Sequence, residues 1–267
     1  MTTIKELMSL KGRRALITGA SGGLGAIIAS SLAELGADLI LIDLPESDIH
    51  NLSNNLVSKW GIEAESYFCD LEQQTQRSDL IDSIKASGKG INILINNAAF
   101  VGSSDLQGWS VPFEEQTIET WRRALEVNLT ATFDLCQSLT PLLRQSKGAS
   151  IINIASTYGL YGPDWSLYKN TDMSNPAAYG ASKGGLIQFT RWLSTTIAPN
   201  IRVNSISPGG IFRNQPKVFV ERYKAKTPLG RMATEEDFRG VIAYLASDMS
   251  EYVTGQNLLV DGGWGTW

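Results

Sequence analysis

Residues 14–43 read RALITGASGGLGAIIASSLAELGADLILID. The first six residues form a short, mostly apolar run, and the last six, DLILID, form another. Between them a turn with three further glycines opens directly into AIIASSLAELGA, where small and large apolar side chains recur at helical spacing. The predicted unit is strand, tight turn, helix, strand, with the two strands parallel because the helix returns the chain to the same end of the sheet. Glycines let the backbone bend sharply at that turn and approach an anion, whose charge meets the free N–H groups of the helix start. A tight strand-to-helix connection also needs glycines on its own account, so the turn alone leaves both readings open. Asp43, which closes the second run, adds weight to the nucleotide reading. A carboxylate at that place accepts hydrogen bonds from adenosine ribose hydroxyls and repels a 2′-phosphate. No Arg or Lys adjoins it, so NAD is expected in preference to NADP.

The same alternation continues to the end of the chain. Further strands are expected at 64–70, 92–98, 150–156, 201–209 and 256–263, and helices at 24–35, 46–59, 72–87, 117–146, 178–198 and 234–246. The strand runs are too uniformly apolar to have one wet face, so each is expected to be covered on both sides. The predicted fold class is α/β: one domain spanning 1–267, built on a doubly wound parallel sheet of about seven strands.

Bulk properties narrow the function. With 267 residues, 43% hydrophobic and 19% charged, the chain can bury one large core. A net charge of −4 offers no general attraction to nucleic acid or anionic lipid. No apolar run approaches the ~20 residues that span a bilayer, and MTTIKELMSLKGRR has no signal-peptide hydrophobic stretch. Two cysteines and a single histidine, His50, make a disulfide framework, a His-built zinc site or a Ser-His-Asp triad poor expectations; no metal is expected, and the cytoplasm is the expected compartment.

Six short motifs, in order, carry a resemblance: TGASGGLG (18–25), NNAA (96–99), Asn128 in VNL, Ser156, YGASK (179–183) and SPGGI (207–211). Together they resemble the short-chain dehydrogenase/reductase family, in its common single-domain branch, over nearly the whole chain. The resemblance implies a Rossmann-type fold, hydride transfer between nicotinamide and a secondary alcohol or ketone, and a homotetramer or homodimer. It implies Asn128, Ser156, Tyr179 and Lys183 as the catalytic set. It places Gly19, Ser21, Gly23, Leu24, Gly25, Asp43, Asp70, Leu71, Asn97, Ala98, Ala99, Pro208, Gly209 and Ile211 against the cofactor, together with Tyr179 and Lys183. In two places the chain departs from the family: Ala99 replaces the usual last glycine of NNAA, and Arg213 stands where a threonine is common.

The chemistry can also be read from the residues. Tyr179 and Lys183 are four apart and share one face of a helix. A free phenol, with a pKa near ~10, is a poor base at neutral pH; an ammonium beside it, helped by oxidised nicotinamide, favours the phenolate. The Ser156 hydroxyl would hydrogen-bond the substrate oxygen. By resemblance, Lys183 holds the nicotinamide ribose and Asn128 positions a water that gives the proton an exit.

Residues 157–178, between Ser156 and Tyr179, are more than the family usually places there and read as an insertion at the ligand-binding end of the sheet. Tyr158, Tyr161, Trp165 and Tyr168 offer aromatic faces for a sugar ring; packing within the domain, or a subunit contact, explains them equally well. The segment 211–231 corresponds to the family's substrate lid. It carries six cations, Arg213 among them, against one acid, which suits an anionic substrate or a solvated helix face. Tyr158, Trp165 and Arg213 are thus the candidate substrate contacts. SDMSEYVTGQNLLVDGGW (247–264) and the insertion look, more loosely, like oxidoreductases of bacterial surface-sugar pathways supplying sialic-acid-like sugars. The expected substrate is a polar, anionic sugar or sugar derivative. A reductase of hydroxy-lipid or steroid-like substrates, or a non-catalytic NAD(H)-binding redox sensor, are the rival expectations.

Overall fold

The computed structural model describes residues 1–101 and 106–267. Seven strands form one sheet: β1 (Arg14–Thr18), β2 (Asp38–Asp43), β3 (Ala64–Phe68), β4 (Ile93–Asn96), β5 (Ala149–Ile154), β6 (Ile201–Pro208) and β7 (Asn257–Val260). Their order is β3-β2-β1-β4-β5-β6-β7, and every neighbouring pair is parallel. The chain therefore winds outward from β1 in one direction and, after β4, in the other. The crevice at that reversal is where an open α/β sheet binds ligands.

The helices are α1 (Ile4–Met8), α2 (Gly23–Glu34), α3 (Ile49–Trp60), α4 (Gln74–Ala86), α5 (Ile118–Leu125), α6 (Ala131–Arg144), α7 (Trp165–Tyr168), α8 (Ala177–Thr196), α9 (Lys217–Lys226) and α10 (Arg239–Ala246). Side chains alternate across each strand, and each face has its own helical cover. Ala15, Ile17, Leu39, Leu41, Ile93 and Ile95 pack with α2, α3 and α10 through Ile28, Leu56 and Ile242. Leu16, Ile40, Ile42, Leu94, Ile151 and Val203 meet α4, α6 and α8 through Leu80, Leu139 and Leu193. This two-sided cover is why the inner strands read as unbroken apolar runs.

The expectation of cover on both sides fails at the sheet's two margins. Phe68 on β3 is 44% exposed and Leu259 on β7 is 42% exposed; an edge strand has a neighbour on one side only, and its helical cover thins there. The helix expected over 117–146 is instead α5 and α6 joined by a wider π-type turn at Glu126–Thr130. Similarly, the helix expected from 234 begins with a tight turn, Glu235–Phe238, closed by reciprocal bonds between Thr234 and Asp237, before α10. Helices α1, α7 and α9 lie outside the expected helical stretches; α1 and α7 are too short for a periodic pattern to register, and α9 forms within the segment read as the lid.

Candidate active site

The glycine-rich turn is packed too closely for side chains. Gly19 has φ +63°, and a Cβ there would lie 2.9 Å from Ala98 Cα. A Cβ on Gly25 would meet the Gly19 carbonyl oxygen at 2.0 Å. Asn97 holds the turn from the adjacent strand end, donating through Nδ2 to the carbonyls of Thr18 (3.0 Å) and Gly19 (2.9 Å). Helix α2 begins at Gly23 behind Gly22, which supplies no side-chain cap, so its first-turn N–H groups have no side-chain partner there. A cleft of about 680 Å³ opens over this turn. Closely approaching backbone, uncapped helix donors and a carboxylate at the end of β2 fit a dinucleotide.

All the residues expected at the cofactor line that one cleft: Gly19, Ser21, Gly23, Leu24, Gly25, Asp43, Asp70, Leu71, Asn97, Ala98, Ala99, Tyr179, Lys183, Pro208, Gly209 and Ile211. Asp43 is held in place, its Oδ2 accepting both the backbone N–H and the hydroxyl of Ser21 at 2.7 Å, and its Oδ1 accepting the Leu44 N–H at 2.8 Å. The Asp70–Leu71 corner is braced by Arg77, which donates to the Leu71 carbonyl at 2.5 Å and pairs with Glu126 and Asp134. Phe100, Arg123 and Glu72 also line the cleft and were missed. Arg123 forms a two-pronged pair with Glu72 (2.8 and 3.1 Å) and lies 5.0 Å from the Phe100 ring centroid. The two ionic partners are 51 positions apart, and nothing local to either marks the pair.

Ser156 follows the end of β5, and its Oγ accepts the Tyr158 N–H at 3.2 Å. Tyr179 and Lys183 project from α8 one turn apart, and all three residues line the cleft. Lys183 is 2% exposed and donates from Nζ to the Ile154 carbonyl at 2.7 Å, with the ammonium 5.8 Å from the Tyr179 ring centroid. Burial lowers the Lys183 pKa to about 8. Burial also pushes the Tyr179 phenol upward, opposed by the neighbouring Ser156 hydroxyl and the positive charge of Arg213. The ammonium is turned to the Ile154 carbonyl, and desolvation is the largest influence on the phenol.

Asn128 sits outside the cleft wall. It is 1% exposed within the wide turn, where Oδ1 accepts the Phe100 N–H at 2.6 Å and Nδ2 donates to Ser182 Oγ at 2.9 Å. Ser182 in turn donates to the Tyr179 carbonyl at 2.9 Å. The Asn128 amide therefore ties the segment just after β4 to the turn of α8 that carries Tyr179 and Lys183.

The insertion and the lid are packed together. Tyr158 and Tyr168 share a hydroxyl–hydroxyl hydrogen bond of 2.5 Å, and Tyr168 meets Phe219 of α9 edge-on at 5.4 Å. Arg222 donates to the carbonyls of Leu167 (3.2 Å) and Lys169, and Lys226 pairs with Asp164. The end of the chain joins them: Trp264 stacks on Tyr223 at 5.9 Å. Tyr158 and Trp165 line a second cavity of about 840 Å³ with Tyr161, Asp172, Asn175, Phe113 and Gln116, rather than the cleft of Tyr179. Arg213 does line that cleft. Of the six lid cations, five have partners within the chain: Arg213 with Glu235, Arg222 and Lys226 as above, Lys224 with Glu221, and Arg231 with Asp237. Most of the basic character read from the segment is consumed in holding the lid.

A family model described as "Enoyl-(Acyl carrier protein) reductase" matches residues 19–265. The chain is 31% identical to the 3-oxoacyl-[acyl-carrier-protein] reductase FabG of Aquifex aeolicus, over 96% of this chain and 98% of that one. It is 30% identical to the NADP-dependent mannitol dehydrogenase of Alternaria alternata, covering 98% of this chain and 96% of the other. A short-chain dehydrogenase from Leptospira borgpetersenii, solved with bound NAD+, superposes with a TM-score of 0.84 at 34% identity, over 99% of this chain and 96% of that one.

Proposed function

We propose a specific reaction for this chain, which belongs to the short-chain dehydrogenase/reductase family and is a nicotinamide-dependent oxidoreductase acting on CH–OH and keto groups: NAD-linked interconversion of a secondary alcohol and a ketone on a polyhydroxylated sugar derivative. The observation that carries the reading is the convergence of Ser156, Tyr179 and Lys183 on the cleft that also holds the glycine turn. A nicotinamide held in this cleft would supply or accept the hydride. In the oxidation direction the Tyr179 phenolate would take the alcohol proton, and in the reverse direction the Tyr179 hydroxyl would give it to the ketone oxygen. Ser156 Oγ hydrogen-bonds that oxygen and favours its developing charge. Lys183 holds positive charge 5.8 Å from the Tyr179 ring centroid, and Asn128 acts as a positioning residue by orienting α8. Preference for NAD rests on the anchored Asp43 carboxylate, whose charge disfavours a 2′-phosphate.

The second cavity has an aromatic and polar lining and adjoins the reacting groups through Gly180, next to Tyr179, and Tyr158, hydrogen-bonded to Ser156. This supports a sugar derivative that reaches from the cleft to Tyr158 and Trp165, with 157–178 as the recognition loop. An anionic group would be met by few lid charges, since five of the six have partners in the chain. A homotetramer or homodimer is proposed from exposed aromatics on the helices flanking the sheet, Trp121, Phe133 and Trp192 among them, the last 57% exposed. Two buried free cysteines suit a reducing cytoplasm, and among the described residues no helix is long and apolar enough to cross a membrane.

Likeness to the FabG reductases supports a second reading, reduction of a 3-oxoacyl thioester. Nicotinamide absorbance, followed with NAD and NADP against alditols, sugar acids, 3-oxoacyl thioesters and steroid alcohols, separates the possibilities. Turnover of polyols with NAD is the expected result. Activity confined to acyl thioesters would replace the first reading with the second. Tight NADH binding without turnover of any alcohol or ketone would leave a redox sensor.

A further inference from the structure

Arg213 lines the cleft, and its side chain lies against the start of α2. The short backbone stretch that carries it is tied to the segment before α10: Phe212 N–H donates to the Ala233 carbonyl and Ala233 N–H to the Gly210 carbonyl, both at 2.9 Å. From this pinned base the side chain reaches back over the start of α2. A side chain built on Gly23 would begin 3.4 Å from Arg213 Nη2 and 2.9 Å from Glu235 Oε1. Glu235 accepts from Arg213 Nε at 3.1 Å. The guanidinium is a planar fork of five donors, and here its Nη edge makes no hydrogen bond among the described residues. That unspent edge lies over the uncapped first turn of α2, where the helix's positive end already favours an anion.

We propose that Arg213 is the cation that binds the diphosphate of the dinucleotide, with Glu235 aiming its Nη edge at Gly23 and tempering its charge. The inference rests on the reading of this cleft as a nicotinamide dinucleotide site. It reassigns Arg213 from the substrate to the cofactor. It also accounts for an otherwise awkward feature, a carboxylate standing beside a helix N-terminus that should receive a phosphate. Glu235 neutralises the arginine and competes with the ligand for it, so it sets affinity from outside the contact itself. Charge-assisted, two-pronged pairing of guanidinium with phosphate is the geometry that an arginine offers and a threonine cannot.

The test uses ADP-ribose, which has the diphosphate and no nicotinamide, and adenosine, which has neither, with dissociation constants measured by calorimetry across a range of salt. For Arg213→Ala, ADP-ribose affinity is expected to fall tenfold or more, with a shallower salt dependence, while adenosine affinity stays within twofold. Glu235→Gln keeps an oxygen acceptor for Nε and removes the negative charge, so ADP-ribose should bind at least threefold more tightly. Arg213 has 55% of its side chain exposed, so truncation leaves the core intact; melting curves check this. ADP-ribose affinity within twofold of the parent in Arg213→Ala would overturn the proposal, as would a Glu235→Gln protein with unchanged affinity. A parent protein that binds no ADP-ribose at all would overturn the cofactor reading along with it.

Discussion

Replacing Lys183 by methionine tests the electrostatics of the site directly. The ammonium is 2% exposed, and burial brings its pKa from an ordinary 10.5 to about 8. At pH 7 the group is charged in both the folded and unfolded chain. Folding must therefore bear the cost of holding that charge in the interior, about 3 kcal/mol when the difference is converted at 1.36 kcal/mol per pH unit. Between the two pKa values the unfolded chain binds more protons than the folded one, so stability rises with pH. Integrated from pH 7 to 9.5, the gain from this one group is about 2 kcal/mol. Lys183→Met removes the titration and loses the bond to the Ile154 carbonyl, which is a loss at every pH. Tyr179, whose pKa is raised, works in the opposite direction only as pH passes its ordinary value of 10.0, so measurements stop at pH 9.5. Urea unfolding of both proteins at pH 7 and 9.5 provides the comparison, and the difference between them cancels the groups they share. The parent should gain about 2 kcal/mol relative to the variant over that span. Identical pH dependence in the two proteins would refute the claim that this ammonium is held charged in a desolvated place.

Three further outcomes follow from the geometry. Tyr179→Phe should lower kcat by roughly 10²–10⁴-fold while NADH affinity, measured by fluorescence titration, stays within about twofold, because the change removes one proton-transfer group and no packing volume. Gly25→Ala places a methyl 2.0 Å from the Gly19 carbonyl oxygen. It should cost about 1–3 kcal/mol in chemical unfolding and abolish ADP-ribose binding, since the backbone of the glycine turn must shift. Phe219→Ala, at a side chain 4% exposed between Tyr168 and Tyr223, should cost about 3–5 kcal/mol if the insertion, lid and tail are one packed body. Unfolding free energy within about 1 kcal/mol of the parent would show that this cluster opens independently of the sheet.

How much of this was legible beforehand depends on the range over which each feature is encoded. The seven strands, the main helices and the cofactor cleft are written in local pattern. Apolar runs alternate with helical spacing, glycines stand where backbone must touch backbone, and Asp43 ends its strand beside the turn. Each of those signals lies within a few residues of what it specifies. The sheet then carries them to a common edge, because parallel strands all finish on the same side.

The lid and the insertion follow a different rule. Their aromatic and basic residues advertise ligand contact when read in a line, yet Tyr168 finds Phe219, Arg222 finds the carbonyls of the inserted loop, and Trp264 finds Tyr223. Arg213, too, reaches a carboxylate 22 positions later and a glycine far earlier in the chain. Such pairings depend on how three separate segments settle against each other above the sheet. A cation or an aromatic ring looks the same in sequence whether a substrate or its own chain will satisfy it, and packing alone chooses between them.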